Sequence, residues 1–369
     1  MKQPADFGFS EEDALLRDSA ARFFADNLPV DKLHALVASE SDSDKSRQTC
    51  WQPQLWRQMV ELGWTMLAVP ESAGGMGMRA VAVAGLCEEA GKAAFPSPLL
   101  ATINATYVLA ACEEPAATKA LEDIVNGAAA SLALHDEQGR EANAVSVDNG
   151  KLNGTACFVQ DAQKVEYFLV RAAGGLYWVA ADAVGVTVQP DAVIDLTRDQ
   201  GQVSFAGVEA ARVSDNADAV VQQAMPAIWT MVSADMVGAG EWQLQTTVEY
   251  TKTRQQFDRP LGFFQAIKHP LVNVMIEIDK SKSLVYNAAC AIDSEPDNAQ
   301  QFAHMAKACA SDMARFASSR SVQFHGGIGF TWECFVHLYF KRQMHNQALW
   351  GDGAWHRAQL AEVLIGTAA

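Results

Sequence analysis

Apolar residues recur at helical spacing from Ser10 onward. The segment SEEDALLRDSAARFFADNL sets Leu15, Leu16, Ala20, Phe23 and Phe24 on one face, with Ser10 placed to cap the first turn and acids behind it. A polar stretch from Ser39 to Thr49 reads as a loop, and Gln54 to Gly63 as a helix stopped by its glycine. Helical patterning continues through VAVAGLCEEAGKAA to about Val125. After Asn126 the period changes to two: SLALHD, AVSVDNGKLNGTACFV, YFLVRA, LYWVAAD, VTVQP and QVSFAGV are short β-rich runs divided by Gly, Asn and Asp. From about Asn216 the chain returns to long helical stretches of bundle length. Helices, then strands, then helices predict an α+β chain, mainly α. It comprises an N-terminal α-helical domain (1–125), a central antiparallel β domain (126–215) and a C-terminal four-helix bundle (216–369).

Composition narrows the function. The 369 residues, 49% of them hydrophobic, suffice for a large core and for two or three domains. A formal net charge of −16 disfavours nucleic acid and anionic membrane surfaces as partners. No uncharged apolar run reaches the roughly 18 residues that span a bilayer, and the acidic N-terminus does not read as a signal peptide. The seven cysteines stand singly, without CxxC pairs, which predicts buried thiols and no metal site in a reducing, cytoplasmic setting. Neither a dinucleotide-binding nor a P-loop glycine pattern is present.

Four segments in order carry a resemblance. LGWTMLAVPESAGGMGM (Leu62 to Met78), GKLNGTACFVQDAQKVEYFLVRA, YTKTRQQFDRPLGFFQAIKHPLV and QFHGGIGFTWECFVHLYFKRQ resemble, respectively, the VPExxGGxG turn, the β-domain hairpin, the YxxxRxxFGxxIxxFQ segment and the QxxGGxGF element of the acyl-CoA dehydrogenase family. The resemblance covers nearly the whole chain. It implies FAD as cofactor, an acyl-CoA as substrate, introduction of an α,β double bond, and electron-transfer flavoprotein as a further partner. It also implies flavin contact across a subunit interface by Arg254, Gln256, Phe257, Gln265, Gln323, Gly326 and Gly327. An arginine fork suits the pyrophosphate, and glycines admit close backbone approach. Asp258 stands where the family has glycine.

The resemblance fails at the base. The family's carboxylate lies nine residues beyond the arginine that corresponds to Arg342, which here falls on Gly351, or on Trp350 with a one-residue gap. The alternative position on the preceding long helix falls at or near Ile228. Neither takes a proton; Asp352, Asp235 and Glu241 are the nearest acids, and Asp352 is the substitute base unless it caps a helix beginning near Ala354. In the β domain, His135 and Asp136 replace a Thr-Glu pair, and Phe158, Val159 and Gln160 replace Trp-Ile-Thr. Elements serving the chain's own flavin are degraded, whereas those reaching a neighbour's persist. The leading expectation is thus the base-lacking subunit of an α2β2 heterotetramer, like the smaller subunits of steroid-type or dicarboxylic-type enzymes. The alternatives are a self-sufficient homo-oligomeric dehydrogenase or oxidase with a relocated carboxylate, and a flavin-free scaffold binding an acyl-CoA or a protein. Arg198, Lys252 and Arg259 are candidates for the CoA arm. His325, His337, His345 and His356 are candidates for a proton relay, weighed against plain core or solvated histidines.

Overall fold

The computed structural model describes residues 10–38, 51–141 and 144–366, so the loop expected at Ser39–Thr49 lies outside the described residues. The chain folds as two compact units. One comprises the described residues of Met1–Ala38, Arg79–Phe95 and Trp229–Ala369; the other comprises those of Ser39–Met78 and Pro96–Ile228.

The first unit is helical. It contains α1 (Glu11–Asn27), α2 (Val30–Ala38), α4 (Ala80–Lys92), most of α7 (Ala217–Thr253), α8 (Gln265–Ser294), α9 (Pro296–His325), α10 (Val336–Ala348) and α11 (Gly353–Ile365). Helix α1 begins as its sequence predicts, with a reciprocal capping box between Ser10 and Asp13. Its buried face differs from the expected one. Leu15 is 63% exposed, while Asp13 is buried because it accepts from the Ser10 N–H and pairs with Arg79 at 2.6 Å. Helices α4 and α7 touch backbone to backbone: a Cβ at Gly91 would collide with the Asp235 carbonyl, and one at Gly238 with that of Glu88. Only glycine permits that crossing. Beside it, Glu88 takes Lys282 at 2.8 Å, the Tyr286 hydroxyl at 2.8 Å and Arg17, so a nearly fully buried carboxylate is surrounded by donors.

The second unit holds α3 (Pro53–Glu61), α5 (Leu99–Ala110), α6 (Pro115–Val125) and an eight-stranded sheet. The strands are β1 (Ala130–Ala133), β2 (Val145–Asp148), β3 (Lys151–Gln160), β4 (Tyr167–Ala172), β5 (Gly175–Ala180), β6 (Val186–Pro190), β7 (Gln200–Val208) and β8 (Ala211–Ser214). The order is β6-β7-β3-β2-β4-β5-β8, with β1 on β4. The purely antiparallel expectation needs one correction: β1 and β2 both pair with β4 in parallel, because each reaches β4 through a connection rather than a tight hairpin. The Asn149–Gly150 turn between β2 and β3 has both residues at positive φ, the conformation this dipeptide favours.

Candidate active site

In the first unit, the residues expected to meet a flavin lie on two adjoining elements. Helix α7 ends in a two-residue hairpin, β9 (Gln255–Gln256) with β10 (Arg259–Pro260), and α9 ends in the turn Gly326–Phe330. The Tyr250 and His325 rings stack at 4.3 Å and 24°, which ties the two elements together. Arg254, Gln256, Phe257, Gln265, Gln323, Gly326 and Gly327 are all exposed. Phe257 is 87% exposed, a large apolar surface turned to solvent. Arg254 makes no ion pair among the described residues. Phe257 and Asp258 both have positive φ, so the aspartate occupies the left-handed conformation in which the family has its glycine. Gly326 also has positive φ, and a Cβ added at Gly326 or Gly327 would meet nothing within 4 Å.

The expected base position is closed. Gly351 has φ +96, and a Cβ there would run into the Trp355 ring. Its carbonyl accepts from Lys307 Nζ at 2.7 Å. The three neighbouring acids are engaged elsewhere. Asp352 is the N-cap of α11, accepting from the Trp355 N–H at 2.8 Å; that bond and a second from Ala354 hold its pKa below the ordinary carboxylate value. Asp235 receives Arg342 through Nε at 3.1 Å and Nη2 at 2.6 Å, and Asn346 at 2.7 Å, all buried. Glu241 takes Lys282 at 2.6 Å.

Sequence reading missed Lys307 and His304 behind that turn, and singled out only His356 there. Lys307, fully buried, donates to the Gln347 carbonyl at 3.1 Å, the Gly351 carbonyl and Ser311 Oγ at 3.3 Å. All three are neutral acceptors, and burial, countered only by the Asp352 charge, pulls its pKa to about 7. His304 and His356 are buried beside it, with their Nδ1 atoms 2.8 Å apart. Nothing local in FAHMAKACA announces a residue that meets a segment 40 positions later. Of the histidines expected as relay candidates, His325 is tied to the Ser321 carbonyl at 2.8 Å and His337 is buried with its pKa pushed down to about 4.

In the second unit, a cleft of about 560 Å³ is lined by Asp136, Glu137, Gln138, Phe158, Asp191 and Gln202, among others. Phe158 stands at a bulge in the β3–β7 ladder, at positive φ and 42% exposed. The amides of the turn that faces it are already used: Asp136 Oδ1 accepts from the N–H groups of Gln138 and Arg140, both at 2.9 Å. These bonds, with the Arg140 side chain, hold Asp136 ionised. Among the CoA-arm candidates, Arg198 is buried, Lys252 pairs with Glu249 at 2.6 Å, and Arg259 lies over the Phe263 ring at 5.3 Å. Of the six described cysteines, none bridged, Cys87 and Cys157 are buried and the other four are half-exposed, a departure from uniformly buried thiols. Among the described residues no helix is long and apolar enough to cross a membrane.

Residues 219–365 match the profile of the acyl-CoA dehydrogenase C-terminal domain, and residues 10–128 that of its N-terminal domain. The chain belongs to the acyl-CoA dehydrogenase family. It is 32% identical over 337 residues to the acyl-CoA dehydrogenase IpdE2 of Mycobacterium tuberculosis, spanning 90% of this chain and 91% of that one. Among solved structures it resembles a variant of the Tcur3481–Tcur3483 steroid ACAD, at 26% identity and TM-score 0.84 over 96% of this chain and 98% of that one. It also has the fold of the ChsE4–ChsE5 complex of Mycobacterium tuberculosis, at 24% identity and TM-score 0.87 over 99% and 100%.

The cofactor of this acyl-CoA dehydrogenase family is FAD, and the two halves of the chain differ toward it. The exposed fork of Arg254, the solvent-facing Phe257 and the open glycine cradle fit a diphosphate with a flat apolar ring. The cleft in the second unit offers a ring-stacking Phe158, yet three carboxylates and spent backbone donors where a polyanion wants N–H groups.

Proposed function

We propose that the chain is the base-lacking subunit of an FAD-dependent acyl-CoA dehydrogenase, paired with a catalytically complete second subunit in an α2β2 assembly. Its Arg254 hairpin and Gly326–Gly327 turn complete the partner's flavin site. The observation that carries this reading is the closed base position: Gly351 has no room for a side chain, and each nearby acid is fixed by other partners. The likeness to the two-component Tcur3481–Tcur3483 steroid ACAD supports the pairing. FAD, when bound, would supply the acceptor for the β-hydride of an acyl-CoA, with electron-transfer flavoprotein as the onward acceptor. In this chain Arg254 neutralises phosphate charge, Phe257 covers apolar ring surface, and Gly326 and Gly327 leave room for the chain to close on the cofactor. The α-proton leaves to the partner's carboxylate. The division into domains 1–125, 126–215 and 216–369 is part of the same proposal.

The visible spectrum of the purified chain tests this. The chain alone is expected to be colourless and to gain flavin only when co-expressed with a second acyl-CoA dehydrogenase subunit. A chain that by itself retains FAD, bleached on adding an acyl-CoA, overturns the pairing.

A further inference from the structure

Behind the Trp350–Asp352 turn lies a line of three rings whose protons are fixed by their partners. His356, 0% exposed, has Nε2 3.1 Å from the Trp350 carbonyl. A carbonyl only accepts, so Nε2 carries the proton. Burial holds His356 at a pKa of about 3 and His304 at about 4, so both rings are neutral near pH 7 and His356 Nδ1 is a bare lone pair. The Nδ1 of His304, 2.8 Å away, must therefore donate, which leaves His304 Nε2 as a bare acceptor.

That acceptor has no partner among the described residues, although His304 is 1% exposed. The Nε1–H of Trp229, 5% exposed, has none either, and its ring lies 4.3 Å from that of His304. An unmet donor and an unmet acceptor on two touching buried rings are each costly. A carbonyl oxygen would satisfy only the indole, and an ammonium only the imidazole. An O–H group satisfies both, accepting from Trp229 and donating to His304: a water molecule in the free chain, and a ligand hydroxyl that takes the water's place when a ligand binds.

The cluster adjoins both places where the family resemblance puts the base. Trp229 follows Ile228 in α7, and His356 holds the carbonyl of Trp350. The resemblance sets the acyl carbons next to the thioester against the base position, so in the paired subunit proposed above, on which this inference rests, this place is a second acyl site apart from the partner's catalytic one. We propose that Trp229 and His304 form a recognition site for a hydroxyl group on an acyl-CoA, on a carbon close to the thioester. A thioester held there is bound without being oxidised, since no base faces it. Addition of water across an α,β double bond, hydrogen to C2 and hydroxyl to C3, yields such a ligand.

Calorimetric titration of the full chain with butyryl-CoA and with 3-hydroxybutyryl-CoA, which differ by one hydroxyl, tests the site. The hydroxylated probe is expected to bind about tenfold tighter, the scale of one well-made buried hydrogen-bond pair. His304→Phe and Trp229→Phe bring the two affinities together, while His304→Gln, whose amide oxygen reaches the Nε2 position, restores part of the preference. Melting curves establish that the variants fold; if the Phe variants do not, the wild-type comparison decides alone. Equal affinity in the wild type overturns the site and leaves the paired-subunit reading standing, as does a preference that survives both Phe replacements. Failure of both probes to bind the chain or its complex with a second subunit overturns the acyl-CoA reading and the site together.

Discussion

The Lys307 Nζ lies 2.7 Å from the carbonyl oxygen of Gly351, so the place where the family sets a carboxylate is held from behind by a buried lysine. Because Lys307 also reaches the Gln347 carbonyl at 3.1 Å, it closes the last turn of α10 as a C-terminal cap.

That burial gives a pH signature. The folded pKa of Lys307 is lowered from 10.5 to about 7, so between those values the unfolded chain keeps a proton that the folded chain has released. Stability from this residue therefore rises with pH across the window and is lowest below pH 7, by roughly 5 kcal/mol at about 1.4 kcal/mol per pH unit. The stability difference between wild type and Lys307→Met, from urea unfolding at pH 6.5, 8 and 9.5, should shift steadily in favour of the wild type. A difference constant with pH would show that Lys307 keeps its ordinary pKa, and its charge, in the folded chain.

Restoring the family's acid at its expected place should fail. Gly351→Glu meets the Trp355 ring and a left-handed backbone, so it should destabilise the chain by about 2 kcal/mol or more and give no oxidation of acyl-CoA. Adding Trp355→Ala should recover part of the lost melting temperature. A fully stable Gly351→Glu chain would show that the turn has room after all.

Asp235 and Arg342 form a bidentate pair with almost no exposure, and removing one partner strands the other charge. Arg342→Met should cost about 3–5 kcal/mol, with Asp235→Asn in the same range. The double variant should be less damaging than the sum of the two, measured as a mutant cycle in urea.

Arg254 is exposed and makes no ion pair among the described residues, so Arg254→Met should leave the melting temperature of the isolated chain within about 1 °C. In the complex with a second subunit the same replacement should release FAD on dialysis, read as loss of visible absorbance. Retention of the flavin at wild-type level would remove Arg254 from the cofactor site.

The pattern of the chain determined a good deal by itself. The capping box of α1, the Asn149–Gly150 hairpin, the cap at Asp352 and the helix–strand–helix order follow from residues within a few positions of one another, where backbone preference and side-chain spacing act directly. The glycine pair and Arg254 stood out as candidates for the same reason, as local motifs. Parallel pairing of β1 and β2 with β4 was not, since it depends on connections rather than on strand composition. Nor was the line from Trp229 through His304 to His356, or Lys307 against Gly351: these residues are 40 to 80 positions apart in places, and only packing of α7, α9, α10 and α11 decides that they meet. Charge and hydrogen-bond partners in a buried site are set by distance through space. The tertiary structure alone decides which polar groups lose water together, and thus which must satisfy one another.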